Sequence, residues 1–156
     1  MLNNKFFKKI GIEVVMRYQK HIFDPAGGGK KAKDVFGKRY KKYTSKYEIN
    51  KRSGNLKGID GKPQERKFKE SNAPVLTGDL YRDYIDVPRM TGSGFEFGFA
   101  TRGGVVRQLS KMGRVVSSNS KPIPDPVANY IMREANKYVK KRLNKIKGKT
   151  IRIKIW

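Results

Sequence analysis

Apolar residues in the first 23 positions recur at helical steps. Phe7, Ile10, Val14, Tyr18 and His21 or Ile22 fall near one face, and Phe6, Val15 and Met16 broaden it. This predicts a helix over 3–23 that packs on more than one side, with Gly11 as its weak point. Asp24-Pro25 ends it, because the residue before proline is pushed out of the helical region. Gly27-Gly28-Gly29 then reads as a flexible joint. Between 30 and 70 apolar residues are sparse and follow neither period. In 34–50, Phe36, Tyr40, Tyr43 and Tyr47 are spaced four, three and four, which would set all four on one helical face if the segment is a helix and not a structured loop. Residues 51–70 read as a long mobile loop.

Further on, Thr77 is a suitable N-cap for a short helix over 78–84, and Asp79 suits its dipole. Gly92-Ser93-Gly94 marks a turn. Phe95, Phe97 and Phe99 alternate with Glu96, Gly98 and Ala100 as in a strand whose small face packs on another layer. A short amphipathic helix over 105–112 stops at Gly113. Pro122, Pro124 and Pro126 make a rigid extended lead into the last helix, whose stripe is Val127, Ile131, Ala135, Tyr138 or Val139, and Ile146. Gly148 ends that helix. Ile151, Ile153 and Ile155 then alternate with Arg152, Lys154 and Trp156 as a strand that closes the sequence. The sum is an α+β fold in one domain over 1–156: a small antiparallel sheet packed by N- and C-terminal helices, with a basic loop or arm over 30–70 and an edge strand over 150–156.

Charge changes the picture. Lys and Arg number 37 against 13 acidic residues, for a net charge of +24. Such a surface repels itself and calls for counter-charge, from phosphates or from acidic protein. Residues 30–70 alone hold 15 basic and 5 acidic residues. Lys38, Arg39, Lys41, Lys42, Lys46, Lys51 and Arg52 are the candidates to face DNA or a partner. Lysines interleaved with tyrosines over 38–47 also fit single-strand binding, where aromatics stack bases. The competing reading has the tyrosines packed on the domain and the lysines covering its surface.

Candidate chemistry is thin. The chain has no cysteine, hence no disulfide and no thiolate metal site. His21 is the lone histidine, so with no cysteine a zinc site is not expected; a Ser-His-Asp arrangement would have to use it, and no serine stands in a nucleophile elbow. Asp79, Asp83 and Asp86 lie close enough to hold a divalent metal, as in a nuclease, or to form a capping, solvated acidic face. Gly27-Gly28-Gly29-Lys30-Lys31 lacks the spacing and hydroxyl residue of a phosphate loop. No cofactor is expected. No signal-peptide core or membrane-span pattern is seen, so the expectation is a protein made in the cytoplasm, with no membrane partner.

The order of the pieces resembles the tail-completion (virion-morphogenesis) proteins of tailed bacteriophages. An N-terminal amphipathic helix leads to Gly37-Lys38-Arg39-Tyr40, then Tyr43-Thr44-Ser45 and Lys51. The most typical stretch is Val75-Leu76-Thr77-Gly78-Asp79-Leu80-Tyr81-Arg82-Asp83-Tyr84-Ile85. Phe97-Gly98-Phe99-Ala100-Thr101, a helix ending in Gly113 and the proline-rich 122–126 follow in family order. The resemblance covers most of the chain; 54–70 is longer and more basic than the family pattern. It implies a structural, non-enzymatic virion protein of the head–tail neck, a tail terminator or connector. It also implies a ring, with six subunits suggested by tail symmetry, meeting connector and tail tube proteins and touching genomic DNA non-specifically. Leu76, Thr77, Gly78, Leu80, Ile151, Ile153, Ile155 and Trp156 are then the assembly-interface candidates. The alternative is a basic nucleic-acid-binding protein acting outside a virion.

Overall fold

The computed structural model describes residues 4–58, 61–75, 79–83, 89–91 and 94–147. Helices dominate. The first, α1 (Asn4–Ile22), buries Phe6, Ile10, Gly11, Val14, Val15, Tyr18 and Ile22, so the helical stripe in the sequence is its core face. The last, α5 (Asp125–Lys147), starts two residues before Val127, with Pro126 inside its first turn. Proline is tolerated there because the first N–H groups of a helix lack intrahelical partners anyway. The rigid lead expected over 122–126 is therefore shorter. The two helices run antiparallel: the Phe6 and Tyr138 rings are 5.0 Å apart at one end, and the Arg17 guanidinium lies 4.3 Å from the Tyr130 ring at the other.

Between them lie α2 (Ser45–Ser53), α3 (Asp79–Arg82) and α4 (Gly103–Lys111), with a 3₁₀ turn over Arg66–Phe68. Among the described residues the expected sheet is reduced to one antiparallel pair, β1 (Arg89–Met90) with β2 (Phe95–Glu96), in register Arg89↔Glu96 and Met90↔Phe95. The alternating phenylalanines still serve one face. Phe95 meets Phe7, Phe97 meets Tyr18 and Phe99 meets Phe23, each with ring centres about 6 Å apart, so the segment lies along α1. Among the described residues the small face meets no other layer: a Cβ on Gly98 would have no atom within 4 Å.

The core joins Val14, Val15, Tyr18 and Ile22 of α1 to Phe23, Val35, Phe68, Val75, Val116 and Val127. Phe68 is fully buried, so the end of the 51–70 segment is anchored by a core side chain and is not the mobile loop that its composition suggests. The glycine triplet is likewise no loose joint. Gly28 and Gly29 adopt φ of 62° and 79°, and a Cβ on them would fall 2.4 Å from the Lys67 carbonyl oxygen and 2.2 Å from the Ser71 hydroxyl oxygen. Only glycine combines this backbone with so close an approach. Asp24, itself at φ 45°, caps the same turn by accepting from the Lys31 N–H at 2.9 Å. The edge strand expected over 150–156 lies outside the described residues.

Candidate functional site

The basic segment begins in a turn built by Asp34. Its Oδ1 accepts from the N–H groups of Phe36 (3.0 Å) and Lys38 (2.8 Å), and Gly37 takes φ 82°. This side-chain mimic of a backbone turn reverses the chain and leaves Lys38 and Arg39 exposed. Nearby, His21 Nε2 lies 3.1 Å from the Asp34 carbonyl oxygen, and burial holds its pKa below the usual histidine value despite that carbonyl. Lys41, Lys42, Lys46 and Arg52 are also exposed, and with Lys38 and Arg39 they make six of the seven expected surface cations. Arg52 is partly engaged by Glu48, one helical turn before it.

Lys51, the seventh, does not belong to that face. It is 1% exposed. Its ammonium donates to the carbonyl of Ser71 and, at 3.4 Å, to that of Ala73, and sits 4.6 Å from the Tyr43 ring centre. Arg114, also buried, donates to the carbonyls of Asn72 (3.0 Å) and Lys41 (2.8 Å), with its guanidinium carbon 3.7 Å from the same ring centre. The Tyr43 hydroxyl completes the group by donating to the Ala73 carbonyl at 2.9 Å. Three consecutive carbonyls, 71 to 73, thus hold two cations and a phenol, and no carboxylate takes part in these bonds. Burial, aided by the neighbouring Arg114 charge, brings the Lys51 pKa down to about 8.

The tyrosines follow from this. Only Tyr47 lies within α2; Tyr40 and Tyr43 precede it, so the four aromatics do not share a helical face. Tyr40 is buried, Phe36 is exposed, and Tyr43 packs against Tyr47 at 4.6 Å between ring centres. Tyr43 is engaged by two cations and Tyr47 and is not laid out as a platform for bases. The packing reading of these tyrosines describes their geometry.

A second polar cluster surrounds α3. Asp79 pairs with Lys62 (3.4 Å), Arg102 (3.6 Å) and Arg82 (3.9 Å), while Arg82 also pairs with Glu65. The Asp83 carboxylate accepts from the N–H groups of Thr101 (2.9 Å) and Arg102 (2.8 Å) and from the Thr101 hydroxyl. It therefore ties down the chain that enters α4. Burial works against its charge, but these donors outweigh burial and hold its pKa below the usual carboxylate value. Both carboxylates face cations or N–H donors, which is the geometry of an ion-pair and capping cluster. Among the described residues no group of three His, Asp or Glu is placed to hold a metal ion. Asp86 lies outside them.

Of the assembly candidates, Leu80 is 8% exposed and belongs to the core. It is a packing residue, because α3 turns it inward while Asp79 and Arg82 stay at the surface. Leu76, Thr77, Gly78, Ile151, Ile153, Ile155 and Trp156 lie outside the described residues. Arg114 was missed by sequence reasoning. Its signal in the sequence is weak: it stands between Gly113 and the apolar pair Val115-Val116, and a charge drawn in with such a pair must be hydrogen-bonded. Among the described residues no helix is long and apolar enough to cross a membrane. Comparison with known proteins finds no matching family model, no matching curated protein and no matching solved structure.

Proposed function

We propose that this chain is a structural subunit of the head–tail joint of a tailed bacteriophage, a tail terminator or connector that works as a ring. The observation that carries the reading is the order of its motifs over most of the chain, from the N-terminal helix through 75–85 to the proline-led last helix. The antiparallel α1–α5 pair and the exposed cations Lys38, Arg39, Lys41, Lys42, Lys46 and Arg52 are compatible with it and supply a face for acidic neighbours or for DNA crossing the joint. In this reading residues 151–156 add as a strand to the sheet of the next subunit, satisfying edge N–H and C=O groups across a heterologous, closing interface. The subunit turns over no substrate.

The test is solution mass by light scattering after size exclusion, across salt, with and without DNA and with phage neck and tail proteins. A nucleic-acid-free ring of defined number, or a ring formed only with those proteins, supports the reading. A chain that stays monomeric with them yet binds DNA with a steep salt slope overturns it. That outcome favours the alternative of a nucleic-acid-binding protein outside a virion, for which the same exposed cations speak.

A further inference from the structure

Helix α5 has two apolar faces, and among the described residues only one is used. Val127, Tyr130, Ile131 and Tyr138 turn inward, where Tyr130 meets Arg17 and Tyr138 meets Phe6. On another side stand Met132, Val139 and Leu143, exposed by 63%, 43% and 51%. Their spacing of seven and four residues places them within about 40° of arc, with Ala135 beside them. Cations border this seam. Lys140 stands three residues before Leu143 and Arg142 three after Val139, so each neighbours the seam on the helix surface. From Arg133 onward α5 holds seven Lys and Arg residues and a single acidic one, Glu134, which already pairs with Lys137 at 2.9 Å and Arg133 at 3.5 Å. Among the described residues Lys140, Lys141 and Lys145 make no ion pair.

We propose that this seam is a docking surface for an acidic protein partner that presents apolar residues of its own at helical spacing between carboxylates. Charge selects this occupant. A second copy of the chain would set one cationic helix against another. A phosphate backbone would meet the cations but leave Met132, Val139 and Leu143 without a purpose. The narrow arc fits a helix-in-groove seam; a helix that lies in a lipid interface buries a broader apolar face. An acidic amphipathic segment satisfies both halves of the surface, its apolar residues covering the seam and its carboxylates meeting Lys140, Arg142 and their neighbours. The inference stands apart from the ring reading, since a monomer would offer the same face.

The experiment is fluorescence anisotropy of a labelled peptide of about 20 residues, with Leu and Ile at heptad positions and Glu elsewhere, titrated with the full chain. A peptide of the same composition in scrambled order, duplex DNA and phosphatidylserine vesicles serve as comparators. The patterned peptide is expected to bind about tenfold tighter than the scrambled one. Replacing Met132, Val139 and Leu143 together by Ser is expected to remove that advantage while leaving DNA binding unchanged. If circular dichroism shows this triple variant unfolded, Leu143→Gln alone replaces it. Equal binding of the two peptides, or an advantage that survives the substitutions, overturns the proposal. So does vesicle binding that weakens with the substitutions while peptide binding does not, which would assign the seam to a lipid surface.

Discussion

Arg114 lies over the ring of Tyr43, its guanidinium carbon 3.7 Å from the ring centre, while its terminal nitrogens reach the carbonyls of Asn72 and Lys41. These contacts bring together three stretches far apart in sequence. Arg114→Met keeps most of the volume and removes the donors, leaving two carbonyls unpaired. The expected loss is about 2–4 kcal/mol of unfolding free energy by denaturant titration. Arg114→Lys should recover only part of it, because one ammonium cannot reproduce the planar fork.

Lys51 makes stability depend on pH with a defined sign. Its folded pKa, about 8, is below the ordinary lysine value, so between the two the unfolded chain binds more protons. Stability should therefore rise as pH rises from about 8 toward 10, and below 8 the cost of holding the buried charge is present in full. Lys51→Met should flatten this rise by about 1–2 kcal/mol relative to the parent chain. At higher pH the trend reverses. Burial raises Tyr43 to about 12, so its contribution is complete below the unfolded tyrosine value near 10 and is lost as pH climbs through 12. Denaturant midpoints of both proteins from pH 7 to 11 test the rise and the onset of the fall above pH 10.

Tyr40 offers the opposite kind of test. Its hydroxyl is buried with no hydrogen-bond partner among the described residues. Tyr40→Phe should be neutral or stabilising by about 1 kcal/mol, since it removes an unsatisfied polar group and keeps the ring. A loss above that size in thermal or chemical unfolding would mean that the hydroxyl is satisfied.

Asp83→Ala frees the N–H groups of Thr101 and Arg102 ahead of α4. A loss of about 1–2 kcal/mol is expected, with early exchange of the amides at 101 and 102 by hydrogen exchange. Because the folded carboxyl is held below its ordinary pKa, this contribution is present above about pH 4 and disappears as pH falls through the lower folded value.

Gly29→Ala should be among the most damaging single changes, costing about 3 kcal/mol or more, since the new methyl meets both Ser71 and a backbone conformation that alanine resists. Soluble yield and circular dichroism report it. Gly54→Ala, at φ 77° in open space, isolates the backbone contribution and should cost about 1 kcal/mol.

The long helices were legible because their cores repeat at helical steps: Ile10, Val14 and Tyr18 announce α1, and Val127 with Ile131 announces α5. The phenylalanines at 95, 97 and 99 announced an extended face but not the length of its pairing, because alternation reports which side is buried and says nothing of a partner strand. The basic segment misled at Lys51. In sequence it is one more lysine in a run; its burial depends on carbonyls 20 residues or more away, and no local pattern encodes that. The glycine triplet misled for a related reason. Glycine permits both looseness and close approach, and only Lys67 and Ser71, some 40 residues on, decide between them. Leu80 stands in a stretch that resembles the family's interface, whereas its own apolar character points to the core, where α3 holds it.

The receptor at 71–73 uses main-chain oxygen where most buried cations use a carboxylate. Its acceptors are therefore present whatever side chains those three positions carry, provided the chain keeps its path. A substitution at the half-buried Asn72 leaves the cation holders intact, and the side-chain chemistry of the cluster resides almost wholly in Tyr43, Lys51 and Arg114. Ser71 and Ala73 are held by packing, since the Ser71 Oγ accepts from the Ala73 N–H and both side chains meet Gly29, so variation along this wall falls to Asn72. Two proteins with the same clamp need share only three residues, spread over 72 positions, to build it.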